Sequence, residues 1–393
     1  MNPLNETALE VHITEALRES DLYNERYASQ FDIERLCDPE MLERFLRAQE
    51  DVWEKLAKRY GERCVTEEVI KVFNAYLDRG HSILTLLNKG LTIAGVRVKF
   101  VQFKPELTDT NSEPYRLYRA NCFSVVRQLQ YGTLGGDAGK EIDLCILVNG
   151  LPLLTCELKN EGTGQSYHDG IYQYRYDRSP ANRVLRNCLV HFVVDNSYAF
   201  MTTELKGAET RFLPFNKEST NPLVEDDYPT SYIWREVWQA DSLLDLIQHF
   251  IKRYKVSGGK YVTIFPRYHQ MRAVRLLRRL VREEGPGHNY LIQHSAGSGK
   301  TKSMAWLAHQ LANMTNADNT PIFDSIIMVT DRIVLNVNMA EEVVNFQTTA
   351  GTVKDIRRGS KKLAKAIDEG GTNHHQHGAE VCLRSTEPEA GEE

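Results

Sequence analysis

The sequence predicts an α/β protein of two domains, and three observations carry that prediction. Residues 7–90 are rich in helix formers and repeat their apolar side chains at helical intervals, as in Met41-Leu42, Phe45-Leu46, Val52-Trp53 and Leu56. From residue 91 the pattern changes to alternation, and EIDLCILVNGLPLLTCELKN (141–160) sets an Asn-Gly pair between two apolar runs, the pattern of a β-hairpin. Farther on, YLIQHSAGSGKT (290–301) reads as strand, loop and helix, and DSIIMVTD (324–331) as a further strand. That alternation belongs to a parallel sheet.

At 393 residues the chain has room for two or three domains, each with its own core. A hydrophobic fraction of 41% and a charged fraction of 26% are those of an ordinary globular protein. The net charge of -5 provides no global basic field, so any contact with nucleic acid must be local. The 7 cysteines are scattered, odd in number and never spaced as CxxC, which argues for reduced thiols and against a disulfide frame or a zinc site. The polar, acidic N-terminus has no signal-peptide core, and no apolar run approaches the ~20 residues of a membrane span. The expected setting is the cytoplasm, with no membrane partner.

In chain order, LTIAGVRVKFVQF (91–103) reads as strand, ANCFSVVRQLQY (120–131) as helix, and VLRNCLVHFVVDNSYAFMTT (184–203) as two strands. These make one α/β domain over residues 1–215. Residues 216–231 are a polar, proline-containing connector, and Trp234 to Ile251 has the pattern of an amphipathic helix, so 216–258 is taken as linker. A second, partial domain follows over 259–370. No internal repeat is found.

The hairpin carries three charges in strands otherwise built for burial. Glu157 and Lys159, two residues apart, project to one face of a strand. A plain two-residue turn at Asn149-Gly150 would pair Val148 with Leu151 and leave Asp143 opposite Cys156. Bringing Asp143 beside Glu157 takes one extra residue, most simply a bulge near Leu151 or Pro152, since Pro152 has no ladder N–H to donate. So grouped, Asp143 and Glu157 would hold a hard divalent cation such as Mg²⁺, which polarises a scissile phosphate and acidifies an attacking water. Lys159 would position that water or steady the developing charge. The plainer alternative is a solvated charged edge; the apolar flanks argue against it, because unpaired charge between covered strands is costly.

Asp143 with Glu157-Leu158-Lys159 resembles the D…(D/E)xK signature of the restriction-endonuclease-like nuclease fold, a mixed-sheet α/β architecture. The surrounding DLCILVNGLPLLTCELKN, with GVRVKFVQFKPEL, NCFSVVRQLQY and TTELKGAETRFLPFNK, resembles the nuclease domain of the restriction (R) subunit of type I restriction-modification enzymes. The likeness covers most of residues 90–217. It implies that Gln173, in YQYRYDR, supports the active site together with a tyrosine. The family spacing is Gln-xxx-Tyr, but position 177 is Asp and the nearest candidate is Tyr176; packing of the helix by Tyr172, Tyr174 and Tyr176 is the alternative.

HSAGSGKT (294–301) precedes KSMAWLAHQLANM, a helical sequence. Gly297 and Gly299 let backbone N–H groups turn toward a polyphosphate, with Ser298 between them in the same binding loop. Lys300 would reach the β/γ-phosphates of ATP, and the Thr301 hydroxyl would ligate Mg²⁺. The general pattern has Gly where His294 stands, a departure that superfamily 2 helicases and type I R subunits tolerate. FPRYHQMRAVRLLRRL resembles the helicase Q motif, which implies that Gln270 reads adenine with help from Arg267. VTDRIVLNVNM (329–339) looks like the next helicase motif. Arg272, Arg275, Arg279 and Arg282 are expected to form a solvated helix stripe rather than a DNA contact. The resemblance implies a RecA-like parallel-sheet domain, double-stranded DNA as substrate, and modification and specificity subunits as partners.

No strand ending in Asp-Glu follows Thr330, so the motor domain is expected to be incomplete. Residues 371–393 are expected to be non-native or disordered. Asn373 to Leu383 can be back-translated so that the next frame reads as an apolar strand followed by Gln-Lys-Phe. That points to a frameshift near Gly371, rather than to a metal tract at His374, His375 and His377. Two other readings stand beside the nuclease: an inactive fragment that at most binds ATP or DNA, and an unrelated P-loop NTPase whose hairpin charges are structural.

Overall fold

The computed structural model describes residues 6–105, 109–132, 135–256, 258–316, 318, 320–330, 333–346, 353–355 and 380–385. The chain forms two compact units, Met1–Arg253 with Thr263–Phe265, and Tyr254–Val262 with Pro266–Glu393.

The first unit opens with helix α1 (Glu6–Arg18) and strand β1 (Tyr23–Glu25). Helices α2 (Pro39–Ala48), α3 (Glu50–Tyr60), α4 (Val65–Asp78) and α5 (Ile83–Lys89) follow. Of the apolar positions read from the sequence, Met41, Leu42, Phe45, Leu46, Trp53 and Leu56 are buried and Val52 is half-buried. Asp38 caps α2, accepting from the Glu40 and Met41 N–H groups and so satisfying donors that the first turn leaves open. The 91–103 segment becomes a short hairpin, β2 (Leu91–Ile93) and β3 (Val96–Val98).

After α6 (Glu113–Arg119) come β4 (Phe123–Gln130), β5 (Glu141–Val148) and β6 (Leu151–Leu158). Next are α7 (Tyr167–Tyr172), α8 (Arg183–Asn187), β7 (Val190–Val194), β8 (Ala199–Thr202) and β9 (Leu213–Pro214). They build a seven-stranded mixed sheet in the order β1-β4-β5-β6-β7-β8-β9. The β1/β4 and β6/β7 pairs are parallel, and the other pairs are antiparallel. Strand β6 is buried at every residue, flanked by β5 and β7 and packed against α1, α7 and α8. This is the mixed-sheet α/β architecture the sequence implied.

Two expectations fail here. The sequence of 120–131 predicts helix, yet Phe123–Gln130 is strand β4. Its first four residues, Phe123 to Val126, are buried without interruption, as suits a strand covered on both faces, and such a run mimics helical spacing. The segment from Trp234 to Ile251 is not one amphipathic helix. It is a π turn (Ile233–Val237), helix α9 (Ala240–Asp245) and a second π turn (Leu246–Phe250). Trp234, Trp238, Leu244, Leu246 and Phe250 are fully or almost fully buried within the first unit, so this stretch is core rather than linker, and the unit ends near residue 253 instead of 215.

A two-stranded ribbon, β10 (Lys252–Lys255) and β11 (Tyr261–Ile264), lies where the chain passes between units. The second unit contains α10 (Tyr268–Glu284), α11 (Lys300–Ala312), β12 (Ser325–Thr330), α12 (Ile333–Phe346), β13 (Val353–Asp355) and β14 (Glu380–Ser385). The three strands form a parallel sheet ordered β12-β14-β13. Residues 290–292, expected as the strand before the phosphate loop, form no strand, and Leu291 is 93% exposed. Three apolar residues decide nothing without a hydrogen-bonded neighbour. Strand β14 falls inside the segment expected to be non-native or disordered, while 371–379, with the three histidines, and 386–393 lie outside the described residues.

Candidate active site

The hairpin turns at Asn149 and Gly150, with φ of 48° and 79°, the paired positive values that match strand twist in a two-residue turn. The tip is buried, and Asn149 satisfies it. Its Oδ1 accepts from the Cys122 N–H at 2.7 Å, and its Nδ2 donates to Phe100 O and Asn121 Oδ1. Val148 pairs with Leu151 and Leu147 with Pro152, but Ile146 pairs with Leu154. Leu153 is therefore the bulged residue, close to the place anticipated. Below the bulge Leu144 faces Cys156, and the same register carried one residue further sets Asp143 beside Glu157.

The three charges converge as expected. Asp143 Oδ2 accepts the Leu158 N–H at 2.7 Å and lies 3.7 Å from Lys159 Nζ. Lys159 is 2% exposed; its ammonium donates to Leu158 O at 2.7 Å and stands 3.5 Å from Glu6 Oε1. Glu157 is fully buried. Burial, then the neighbouring Asp143 charge, push its carboxyl up to about 8 against the pull of Arg178. Arg178 Nε and Nη2 both donate to Glu157 Oε1, at 2.9 and 2.6 Å, while Oε2 is buried with no donor.

Helix α7 presses on this strand through Gly170. A β-carbon there would lie 2.6 Å from Val193 Cγ1 and 3.5 Å from Glu157 Cβ, so only glycine admits the approach. Gln173 follows three residues on, along the same helix side, and its Oε1 is likewise buried without a donor. The anticipated tyrosine partner is not brought in: Tyr176 is 59% exposed and packs on Tyr172. The buried ring is Tyr174, whose hydroxyl meets Thr155 Oγ1 at 2.8 Å. Thr155 also meets His191 Nδ1 at 2.7 Å, and burial drives the His191 imidazole down to about 3.

Sequence reasoning missed Arg178, Glu6 and Glu10. Glu10 is buried beside Leu9 and Ile13 on the inner face of α1, and burial followed by Asp143 pushes it up to about 7. A carboxylate on an apolar helix face was the available cue.

The donor set fits a hard cation. The unpartnered Glu157 Oε2, the Asp143 carboxylate and the unpartnered Gln173 Oε1 are all oxygens. Among the described residues no group of three His, Cys, Asp or Glu side chains is arranged to hold a metal. A cation at Asp143 and Glu157 would complete its shell with water and phosphate oxygens, the usual manner for Mg²⁺.

In the second unit Lys300 opens α11 and donates to His294 O and Ser295 O, both at 2.9 Å. Gly299, at φ 85°, abuts the Gln270 amide so closely that a β-carbon would collide with Nε2. Gln270 is buried; it accepts from the Arg267 N–H at 2.9 Å and donates to Gly299 O at 3.0 Å and Ser298 O at 3.3 Å. Its amide is thus engaged by the loop, and reading adenine would require those bonds to be exchanged. Ser298 Oγ is buried without a partner, Gly297 has φ 73°, and Thr301 lies in the first turn of α11. Arg272, Arg279 and Arg282 are exposed and Arg275 half-buried on α10, matching the solvated stripe.

Residues 4–210 match the family described as type I restriction enzyme R protein N terminus. The chain belongs to that family. Residues 269–374 match the SWI2/SNF2 ATPase family. Among curated relatives, the "Putative type I restriction enzyme MjaVIIIP endonuclease subunit" of Methanocaldococcus jannaschii is 26% identical over 305 residues, 73% of this chain and 27% of that protein. The type I restriction enzyme HindI endonuclease subunit of Haemophilus influenzae is 28% identical over 251 residues, 61% and 23% of the two chains. The chain therefore aligns with about a quarter of each relative's length. Among the described residues no helix is long and apolar enough to cross a membrane.

Proposed function

We propose that the first unit cleaves DNA phosphodiesters in a Mg²⁺-dependent reaction, with Asp143 and Glu157 holding the cation and Lys159 and Gln173 serving the reacting phosphate and water. The observation that carries this is Glu157 Oε2: a buried oxygen without a donor, on a carboxylate opposite Asp143, in a site where Lys159 Nζ stands 3.7 Å from Asp143. An unpaired buried acceptor is costly unless something binds it. Mg²⁺, when bound, supplies Lewis acidity to the phosphate and a water of lowered pKa.

The chain's own groups do the rest. The bulge at Leu153 aligns the carboxylates, and the Leu158 N–H holds Asp143 by one oxygen. The Lys159 ammonium, buried to 2% exposure, is poised to orient the attacking water or offset charge on the phosphate. Gln173 Oε1 is free to accept from that water. The second unit would bind ATP on Gly297, Ser298, Gly299, Lys300 and Thr301, with Lys300 exchanging its carbonyl partners for phosphate oxygens. In the whole protein this would be coupled to translocation along duplex DNA, in the cytoplasm, beside modification and specificity subunits. The deciding experiment is nicking of supercoiled plasmid with and without Mg²⁺. Wild type should nick only with the metal, and Glu157→Ala and Glu157→Gln should not; equal background from all three overturns the nuclease reading.

A further inference from the structure

Arg178 reaches Glu157 by a route the α-helical period does not provide. In an α-helix residues three and four apart share a face, so the residues aligned with Gln173 would be Tyr176 and Asp177, both of which are exposed. Between Gln173 and Asp177 the backbone instead takes a π turn, closed by the Arg178 N–H donating to Gln173 O at 3.1 Å. Such a turn holds one more residue than an α turn. It swings position 177 outward and brings position 178 beneath Gln173. The Gln-xxx-Tyr spacing of the family is thereby replaced by Gln-xxxx-Arg, and an aspartate can stand at 177 without entering the site.

Arg178 is held on three sides. Its Nε and Nη2 both donate to Glu157 Oε1, its Nη1 donates to the Tyr131 hydroxyl at 3.0 Å, and its guanidinium lies 5.3 Å from the Tyr131 ring centre. Two donors on one carboxylate oxygen hold that oxygen toward the guanidinium. The other oxygen, Oε2, is then left as the unpartnered one. We propose that Arg178 is a positioning residue of the cation site: through Glu157 Oε1 it turns Oε2 to the metal, and the π turn is the device that delivers it. The proposal rests on the cation-dependent nuclease reading and deepens it. Arg178 touches neither metal nor phosphate. Partners of this kind orient a ligand and raise metal affinity.

The test uses the full chain with Mn²⁺ as probe, titrated calorimetrically at a temperature where every variant is folded. Arg178→Met should weaken Mn²⁺ binding about 10- to 100-fold. Arg178→Lys should fall between, since one ammonium cannot reproduce the double contact, and Asp177→Tyr should match wild type. In nicking assays the metal concentration for half-maximal rate should rise in proportion, with the rate at saturating metal little changed. Unchanged Mn²⁺ affinity in Arg178→Met, with only a lower melting temperature, would show a purely structural arginine and overturn the proposal. A loss in Asp177→Tyr equal to that in Arg178→Met would do the same to the π-turn argument. If Arg178→Met does not fold, Arg178→Lys and Arg178→Gln decide by the same criterion. Failure of the underlying reading looks different: wild type and Glu157→Gln would then bind Mn²⁺ equally or not at all, and the proposal falls with it.

Discussion

Asp143 Oδ2 accepts the backbone N–H of Leu158 at 2.7 Å, which ties the first carboxylate of the site to the strand carrying the second. Asparagine keeps an acceptor at that position and alanine does not. Asp143→Asn should therefore melt close to wild type, while Asp143→Ala should lose about 1–2 kcal/mol for the unmet N–H. Both should abolish Mg²⁺-dependent nicking. A stable, fully active Asp143→Asn would remove Asp143 from the cation site.

Gly170 tests how closely α7 must approach β6 and β7. Gly170→Ala sets a methyl 2.6 Å from Val193 Cγ1 and should cost about 1–3 kcal/mol, the usual range for overpacking. Shifting α7 also shifts Gln173 and Arg178, so nicking should fall further than the folded fraction does. Val193→Ala added to Gly170→Ala should restore much of both, as read by urea denaturation and cleavage.

His191 should leave a mark on the acid limb of stability. Burial holds its folded pKa down at about 3, whereas an unfolded histidine titrates near 6.5. Below that value the unfolded chain binds a proton the folded one refuses, so stability falls with acidification at up to about 1.4 kcal/mol per pH unit until the folded pKa is reached. Above about 7 the contribution is complete. His191→Gln, which keeps a polar partner for Thr155, should flatten this slope between pH 6 and 4 in paired melts; an unchanged slope would show that His191 is not the group responsible.

The phosphate loop should be separable from the nuclease. Lys300→Ala removes one charged donor and should weaken binding of a fluorescent ATP analogue ~10- to 100-fold. Mg²⁺-dependent nicking should persist, since its residues lie in the other unit. Nucleotide binding unaltered by the substitution would show that the loop does not hold phosphate through Lys300.

What could be read beforehand divides along physical lines. The hairpin and its bulge were legible because strand register is arithmetic: once Asp143 is required beside Glu157, one residue must be surplus. The 120–131 segment misleads because Cys122 to Val126 is buried without interruption, Ser124 included, and so short a buried run carries no period to distinguish strand from helix. Arg178 was invisible for a related reason. Its alignment with Gln173 depends on a π turn, and no spacing in YQYRYDR announces one. Glu10 had a cue in its place beside Leu9 and Ile13 on the apolar face of α1, whereas Glu6 shows its neighbours only after the chain has folded back onto the sheet.

Strand β6 has a hydrogen-bonded neighbour on each side and is buried at all eight residues, which bears on how the unit opens. Amide exchange in such a strand requires disruption of the sheet, whereas frayed ends and edge strands exchange through small local openings. Glu157 thus rides on an interior strand, as Val193 of β7 does, and not on an edge of the sheet. In the proposed site the cation would therefore meet Glu157 Oε2 on the closed sheet, with no local opening of the strand to admit it.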